Sequence, residues 1–439
     1  MAQFSRRRMF QTAGALAAAS ALPKWFREET LDAAEIKAPT SANDKPNIAL
    51  VGCGGRGRGD IKDASKFGNV VALCDVDENH ANHAAADYPG SKAYKDFRKV
   101  MERDDIHIIV TATPDHWHTL VNLAALRAGK DVYSEKPLTL TIDEGKYLVE
   151  TVKKTNRVLQ VGSQQRSDAK FRLACELVRS GRIGKLQEVQ VVLPAGHREG
   201  PFPAEEVPKE LDWDFWQGQA PVNPYCRQRT HTTFRFWYDY SGGTVTDWGA
   251  HHNDIARWGI GEDGPISAEG KALTDTIPGG YTAFSQYHIE YLWGNGVKST
   301  CLSTTADQWT GAPVKKAGEA LHNGVTFKGS DGWIFCTRGK LEASKPEIIA
   351  EPLGSGAIRL YASNNHMGNF FECVRTRKDP AATAEIGHRS ISVCHLGVLS
   401  MRLGRKLNWD PVKQTFVGDA DADKWLSREM RKPWGLDVL

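Results

Sequence analysis

The sequence lacks the features of a membrane-spanning or nucleic-acid-binding protein. Beyond residue 23 it has no apolar run long enough to cross a bilayer as a helix. Its formal net charge is only +3, and Arg6, Arg7 and Arg8 account for that excess, so a basic nucleic-acid interface is unsupported. Internal repeats and low-complexity segments are also missing. With 439 residues, 41% of them hydrophobic and 25% charged, the chain fits a folded, two-domain soluble protein.

Paired cysteines are lacking as well. The eight cysteines are scattered singly, without a CxxC pair or zinc-ribbon spacing. Cys53 lies in a glycine-rich loop, and Cys74 lies in an apolar run that is typical of a buried strand. We expect small buried thiols, although a disulfide in an oxidising compartment stays open.

The first residues carry a distinct signal. Residues 5–10 read SRRRMF and precede a small, uncharged, alanine-rich run over residues 11–22, a pattern typical of a twin-arginine export segment. We therefore predict a targeting segment over 1–23, a linker or arm over 24–45, and a periplasmic or envelope-associated protein. A frayed basic N-terminus is the alternative interpretation.

From residue 46 onward, short β-branched runs alternate with amphipathic stretches. This alternation predicts parallel βαβ units and an N-terminal Rossmann domain over 46–167. The fold class is thus α/β for the first domain, followed by α+β. The predicted strands of the first domain are 47–52, 69–76, 106–113, 131–134 and 158–162.

The pattern changes in the second half of the chain. After a predicted helix over 170–180, later strands follow without crossover helices, at 186–194, 283–293 and 298–303 among others. An open, mostly antiparallel or mixed sheet is expected for this second domain, residues 168–439. Helices are predicted over 365–377 and 385–403, with Pro380 at the break between them.

A GxGxxG segment follows the first predicted strand directly. Such glycines permit a tight turn and close approach of the backbone to a pyrophosphate at a helix N-terminus. The second strand ends near Asp75, where a carboxylate can accept hydrogen bonds from ribose hydroxyls. Since Asp75 and Asp77 lack a neighbouring Arg or Lys, a 2′-phosphate would be repelled and NAD is favoured over NADP. The predicted cofactor-binding residues of the loop are Gly52, Gly54, Gly55, Arg56 and Gly57.

Two more segments fall where predicted parallel strands end, which is where ligands bind in such sheets. One contains Thr113, Pro114 and His118, and the other contains Glu135 and Lys136. The ammonium of Lys136 could stand beside a nicotinamide and a substrate hydroxyl. A structural ion pair between Lys136 and Glu135, or a helix cap formed by Lys136, is the alternative.

Asp247 and His251 are four residues apart in the second domain. On a helix, that spacing places carboxylate beside imidazole, where the carboxylate can orient the ring and raise its proton affinity. The structural alternative makes Asp247 a helix N-cap and His251 a core residue. A second alternative is a zinc or iron site formed with His252 and Asp254, but adjacent histidines point in different directions on a helix, so no metal is expected.

Together these motifs resemble the Gfo/Idh/MocA family, the relatives of glucose–fructose oxidoreductase and inositol dehydrogenase. The resemblance runs from residue 46 onward and rests on the glycine loop, Asp75, the Thr113-Pro114 turn with His118, Glu135-Lys136-Pro137, and the segment that ends at His251. It implies hydride transfer to or from the nicotinamide of NAD and a homodimer or homotetramer, while the predicted export of a folded protein implies that the NAD stays tightly bound. It also implies that His251 is the general base, that Lys136 polarises the hydroxyl or the product carbonyl, and that Asp247 orients the substrate and the histidine.

An aromatic-rich stretch over residues 213–240 could border a sugar, because aromatic faces pack against pyranose C–H groups. The predicted substrate-binding residues are Trp117, Arg166, Arg235 and His252. The expected substrate is a sugar, glycoside or polyol. NAD-assisted glycoside cleavage remains the rival reaction, and a sugar-binding protein without activity is the non-enzymatic one. We also expect residues 24–45 to cover the adenosine half of the cofactor.

Overall fold

The computed structural model describes residues 22–31, 45–304 and 323–437. Two sheets organise these residues, one in each half of the chain. Residues 1–21, which carry the predicted export segment, lie outside the described residues, as does most of the predicted linker. No helix in the described ranges has the length and apolarity needed to cross a membrane.

The first sheet has six parallel strands in the order β3-β2-β1-β4-β5-β6. The order reverses between β1 and β4, which opens a crevice beyond their carboxyl ends. This is the Rossmann domain that the alternating pattern predicts, with β3 as an additional edge strand. The strands are β1 (Asn47–Val51), β2 (Asn69–Cys74), β3 (Lys92–Tyr94), β4 (Ile108–Thr111), β5 (Asp131–Ser134) and β6 (Leu159–Val161).

Helices cover both faces of this sheet, because its strands are apolar on both sides. One face packs against the long helices that follow β4 and β5, and the other packs against the helix that follows β1. The helices of this half are α1 (Lys24–Leu31), α2 (Gly55–Ala64), α3 (Glu78–Ala86), α4 (Phe97–Met101), α5 (Asp115–Arg127) and α6 (Ile142–Thr155).

The second sheet has nine strands in the order β13-β12-β11-β7-β10-β9-β8-β14-β15. All of its neighbouring pairs are antiparallel except β7 and β10, so the predicted mostly antiparallel sheet is confirmed. Its strands are β7 (Leu186–Leu193), β8 (Pro265–Ala272), β9 (Tyr287–Trp293), β10 (Lys298–Ser303), β11 (Gly324–Gly329), β12 (Trp333–Thr337), β13 (Lys340–Ala343), β14 (Leu407–Asp410) and β15 (Thr415–Phe416).

Helices pack on one face of this sheet and form the largest apolar core of the described chain. All eight cysteines are buried free thiols, as the sequence predicts. The helices are α7 (Ala169–Arg179), α8 (Trp213–Gln217), α9 (Thr244–Asp247), α10 (Gly249–Ile260), α11 (Pro346–Ala350), α12 (His366–Thr376), α13 (Ala384–Leu403) and α14 (Ala420–Asp423).

Two segments pack on the domain opposite to the one expected from their position in the sequence. Phe370 and Phe371 of α12 belong to the core of the first domain. Conversely, Phe26 of α1 lies in the core of the second domain under the guanidinium of Arg172, and Trp25 Nε1 donates to the carbonyl of Ala350. The prediction that this arm covers the adenosine half of a cofactor is therefore wrong for residues 22–31.

Candidate active site

A cavity of about 550 Å³ opens where β1 and β4 end and continues to the start of α10 in the second domain. Its wall is built from both domains, so neither forms the site alone. Most of the residues that the sequence predicts for the site line this cavity, namely Gly52, Gly54, Gly55, Arg56, Asp75, Thr113, Pro114, Trp117, His118, Glu135, Lys136, Arg235, Asp247 and His251.

The glycine loop connects β1 to α2 and forms one end of the cavity. A Cβ at Gly57 would come within 1.9 Å of the carbonyl oxygen of Gly52, so glycine is required here for the tight turn. Gly57 does not line the cavity. In contrast, a Cβ at Gly55 would meet no atom within 4 Å. Open space at the N-terminus of a ten-residue helix fits the pyrophosphate of a dinucleotide.

Asp75 fixes the loop from the end of β2. Its carboxylate accepts from the backbone N–H of Cys53 at 2.7 Å and from that of Asp77 at 3.0 Å. His80 Nδ1 lies 3.6 Å from the same carboxylate, and this contact with Asp75 raises the histidine pKa despite partial burial. Farther along, the buried hydroxyl of Thr113 has no hydrogen-bond partner among the described residues. This unpaired hydroxyl and the open glycine loop both fit a bound dinucleotide.

The ammonium of Lys136 crosses from the first domain to the second. Its Nζ lies 2.5 Å from Oδ1 of Asp247 and 3.0 Å from the carbonyl oxygen of the same residue. Arg235 Nε lies 3.5 Å from the other carboxylate oxygen. Burial alone would raise the pKa of Asp247, but the charges of Lys136 and Arg235 hold it below its usual value.

Glu135 does not form the ion pair with Lys136 that was the structural alternative. Its carboxylate instead accepts from Arg56 Nε at 2.9 Å and from Gln164 Nε2 at 2.7 Å. Arg56 also contacts the buried Asp60, whose pKa is raised by burial and by the negative charge of Glu135. Lys136 therefore forms its ion pair with Asp247, and Glu135 holds the glycine loop through Arg56.

His251 lies near the start of α10 and is 5% exposed. Burial, together with the charges of Lys136 and Arg338, holds its pKa well below the ordinary value, so the ring is neutral at neutral pH. The expected pairing with Asp247 is wrong: that carboxylate faces Lys136 and Arg235, and Nδ1 of His251 has no partner among the described residues. A short break at Trp248 separates α9 from α10, so the two residues do not share one helix.

His118 and Trp117 use their polar atoms within the protein. The ring nitrogens of His118 lie 2.7 Å from the carbonyl of Pro137 and 2.8 Å from that of Thr113, which ties together the segments after β4 and β5. Trp117 Nε1 donates to the carbonyl of Trp216 at 2.9 Å. Both side chains therefore shape the cavity wall.

Two predicted substrate residues lie outside the cavity wall. Arg166 makes a bidentate pair with Asp254, at 2.7 and 2.8 Å, over the ring of Trp258. His252 is hydrogen-bonded through Nε2 to Asn323 at 2.9 Å. Both residues are at least 95% buried, hold protein partners and lie outside the cavity wall, so the prediction that they bind substrate is corrected, although Nδ1 of His252 has no partner among the described residues.

The same contacts argue against the alternative metal site, because Asp254 pairs with Arg166 and His252 pairs with Asn323. In the described part of the chain, ligand-type atoms converge instead at Asp77, His80 and His231, within 4.8 Å of one another. That cluster stands at the Asp75 end of the cavity, where His80 and His231 contribute to the wall.

The cavity also contains residues that sequence reasoning left unassigned. Arg338 comes from the turn between β12 and β13, and Gln164 follows β6. From the predicted aromatic stretch, Phe215, Trp216 and Phe234 reach the wall, whereas most of the other aromatics form a separate buried cluster. An isolated arginine in a hairpin turn carries no sequence motif, although the Arg338-Gly339 turn between two β-rich runs could have been noticed.

The family models agree with this architecture. A model described as an oxidoreductase family, NAD-binding Rossmann fold, matches residues 46–163. A second, described as the C-terminal alpha/beta domain of the oxidoreductase family, matches residues 196–308 and 314–436. The chain belongs to the Gfo/Idh/MocA oxidoreductase family. Its first domain is an NAD-binding domain.

Curated relatives include dehydrogenases and a hydrolase. Inositol 2-dehydrogenase 2 of Saccharopolyspora erythraea is 29% identical over 49% of this chain, and the match spans 54% of its own length. A glycosyl hydrolase family 109 protein of Shewanella pealeana is 28% identical over 42% of this chain and 44% of its own length. The chain thus spans about half the length of these two. For inositol 2-dehydrogenase of Leifsonia xyli the identity is 30%, over 68% of this chain and 94% of that protein.

Solved structures share the fold. The WlbA dehydrogenase of Bordetella pertussis, in complex with NADH and UDP-GlcNAcA, superposes with a TM-score of 0.63 at 19% identity. The superposition covers 83% of this chain and 99% of that one. At this identity the likeness establishes the two-domain fold.

Proposed function

We propose that this protein is an NAD-dependent oxidoreductase that acts on a hydroxyl-bearing carbon of a sugar, glycoside or polyol. One observation carries the proposal: a single cavity joins the glycine loop of an NAD-binding domain to the Lys136, Asp247 and His251 side chains. A dinucleotide held by the loop would extend toward these groups, since the ends of β1, β4 and β5 all face the same crevice.

Three elements would hold the cofactor. The open N-terminus of α2 at Gly54 and Gly55 suits the pyrophosphate, Asp75 suits the ribose hydroxyls, and the unpaired hydroxyl of Thr113 can donate to a phosphate or ribose oxygen. When bound, NAD supplies the hydride acceptor or donor. Among the described residues, the carboxylate of Asp75 has no lysine or arginine partner, only His80 at 3.6 Å, and this carboxylate would repel a 2′-phosphate.

The protein's own groups would manage the proton. Oxidation of an alcohol requires its hydroxyl to lose a proton, and the neutral imidazole of His251 can accept that proton. Lys136 uses two of its three N–H groups on Asp247, which leaves the third for the substrate oxygen. The ammonium thereby stabilises the developing alkoxide, and Asp247 keeps it in place. In reduction the same groups return the proton to the carbonyl oxygen.

A polar, ring-shaped substrate fits the wall between these groups and Trp216. Phe215, Trp216 and Phe234 offer aromatic faces, and Arg235 offers N–H donors. The names of the inositol dehydrogenase relatives support a sugar or polyol.

NAD-assisted glycoside cleavage is the second candidate, favoured by the resemblance to the glycosyl hydrolase family 109 protein. It would employ the same cavity, through transient oxidation, elimination and re-reduction. Incubating NAD-loaded protein with sugars, polyols and nitrophenyl glycosides separates the two. Net oxidation accumulates reduced nicotinamide, whereas redox-neutral cleavage releases nitrophenol without it. If neither product forms with any compound, the proposed function is wrong.

Location and assembly complete the proposal. The SRRRMF segment and the alanine-rich run that follows support export by a twin-arginine route to the periplasm or envelope. Because that route carries folded proteins, NAD would be loaded before export and kept bound. We also propose a homodimer or homotetramer. Fractionation of cells that express the full chain, followed by gel filtration and light scattering, tests location and assembly together.

A further inference from the structure

The turn between β12 and β13 brings a cation to the catalytic end of the cavity. Thr337 pairs with Lys340, so Arg338 and Gly339 alone form the turn, and Gly339 has the positive φ of +79° that favours glycine. The guanidinium of Arg338 lies over the ring of Trp248, 4.9 Å from its centroid. The Trp248 ring in turn packs edge-on against His251, with centroids 6.2 Å apart. The ring of Trp248 therefore contacts both the guanidinium of Arg338 and His251, the proposed base.

The turn is held in position by a buried lysine. Lys170 is only 7% exposed, and its Nζ donates to the carbonyl oxygen of Gly339 at 2.6 Å. This hydrogen bond fastens the tip of the hairpin to the first turn of α7. A cation presented from a fixed turn costs little conformational entropy when it binds a ligand.

Arg338 differs from the other cations of the cavity in its pairing. Lys136 and Arg235 face Asp247, and Arg56 faces Glu135. Within the described ranges, Arg338 makes no ion pair or hydrogen bond, and its contact is the face of Trp248. Arg338 is an exposed residue of the cavity wall. Burial of part of its guanidinium and the charge of Arg56 lower its pKa, whereas the carboxylates of Asp247, Glu135 and Asp168 act in the opposite direction without forming an ion pair with it.

An unpaired guanidinium in a cleft matches the geometry of a planar or tetrahedral oxyanion. We propose that Arg338 is an anion subsite and that the substrate of this protein is an acidic sugar or polyol, with a carboxylate or phosphate that pairs with Arg338. The inference rests on the proposed function, which supplies the oxidation of a hydroxyl. The acidic character of the substrate is inferred from Arg338 alone. The anionic group lies beside Trp248 while the hydroxyl faces Lys136 and His251.

The test compares sugars that carry a neutral or an anionic group at C6 and are otherwise the same. Glucose, glucuronate and glucose 6-phosphate form one set, and galactose with galacturonate forms a second. Binding to NAD-loaded protein is followed by tryptophan fluorescence, since Trp216 and Trp248 line the cavity, and by NAD reduction. We expect the acid to bind at least about tenfold tighter than its neutral partner, as for a charge-assisted hydrogen bond. Glucuronate and glucose 6-phosphate distinguish a carboxylate from a phosphate.

Variants assign the effect to this residue. Arg338→Gln should remove the preference for the acid and leave binding of the neutral sugar within about threefold, whereas Arg338→Lys should retain part of it. Lys340→Gln is the matched control, because Lys340 is on the same hairpin, pairs with Glu342 and is outside the cavity wall. It should change nothing.

Four results would overturn the subsite. These are equal or better binding of the neutral sugars, no binding of any acid, an equal loss for acid and neutral sugar in Arg338→Gln, and a loss confined to NAD affinity. The last would assign Arg338 to the cofactor. Arg338-dependent binding of an acid without reduction of NAD would keep the subsite and refute the proposed function, so the two can fail separately.

Discussion

Lys136 and Asp247 join the two domains through one short ion pair, with Nζ 2.5 Å from Oδ1. Each residue is less than one fifth exposed, and the lysine follows a strand of the NAD-binding sheet while the aspartate ends α9 of the second domain. The proposed catalytic groups are thus assembled only when the domains meet. This explains why neither motif alone defines the site.

Lys136→Met should lower turnover by at least ~10²-fold, the scale of losing a positioned acid–base group, while the protein remains folded and able to bind NAD. The lost ammonium would no longer stabilise the alkoxide. Steady-state kinetics with NAD-binding titrations measures the effect, and Lys340→Met is a control for the same chemical change outside the cavity. Turnover close to that of the unmodified protein would remove Lys136 from the mechanism.

His251 should be in its basic form throughout the neutral range, because burial and then the charges of Lys136 and Arg338 lower its pKa. Protonation then begins only well below the ordinary histidine value of about 6.5. We expect kcat/KM for oxidation to stay level as pH falls from 8 through about 6.5, and to decline only well below that value. His251→Ala should lose at least ~10²-fold in turnover together with that decline. A rate that already falls tenfold per pH unit near neutrality would contradict the assignment.

Asp75→Ala should weaken NAD binding and relax discrimination against NADP, since the repelling carboxylate is removed. The substitution also removes the acceptor for the N–H groups of Cys53 and Asp77, so Asp75→Asn, which keeps an acceptor oxygen without the charge, is the informative partner. Both variants should show the relaxed discrimination if charge is the cause. Tighter binding of NADP than NAD by the unmodified protein would show that Asp75, at the end of β2, does not select against the 2′-phosphate.

Arg166→Met should reduce the free energy of unfolding by about 3 kcal/mol, because it leaves the buried carboxylate of Asp254 without its ion-pair partner and with only the hydroxyl of Ser390 as a donor among the described residues. Urea unfolding measures the loss, and the double variant Arg166→Met/Asp254→Asn should recover part of it. KM for the substrate should remain nearly unchanged in protein that is still folded. A large rise in KM with normal stability would return Arg166 to the substrate site.

The sequence predicts the first domain well because its evidence is local. The strand before Gly52, the glycine loop and Asp75 follow one another in the order that the crevice requires. The short edge strand β3 was missed because three half-exposed residues carry no clear period. The mixed sheet was anticipated, whereas the packing of α12 and α1 on the opposite domains depends on tertiary contacts that periodicity does not encode.

The site, like the fold, was predicted only in part. Lys136, Asp247 and His251 come together in one cavity, yet the assumption of a continuous helix gave the wrong partner for Asp247. Arg166 and His252 have side chains suited to a sugar, and only the structure shows that Asp254 and Asn323 already occupy them. Arg338 was not predicted, because its place in the cavity wall depends on how the turn between β12 and β13 is held by Lys170, a tertiary contact that the sequence does not show.

Direct transfer of hydrogen from a substrate carbon to the nicotinamide tests the central claim. NAD-loaded protein would be mixed with sugars, sugar acids and polyols that carry deuterium on their carbons, and the recovered nicotinamide would be weighed by mass spectrometry. We predict one deuterium on the nicotinamide ring from at least one compound, and its loss in Lys136→Met and His251→Ala. Folded, NAD-bound protein that transfers no deuterium from any of them would contradict the assignment as an oxidoreductase.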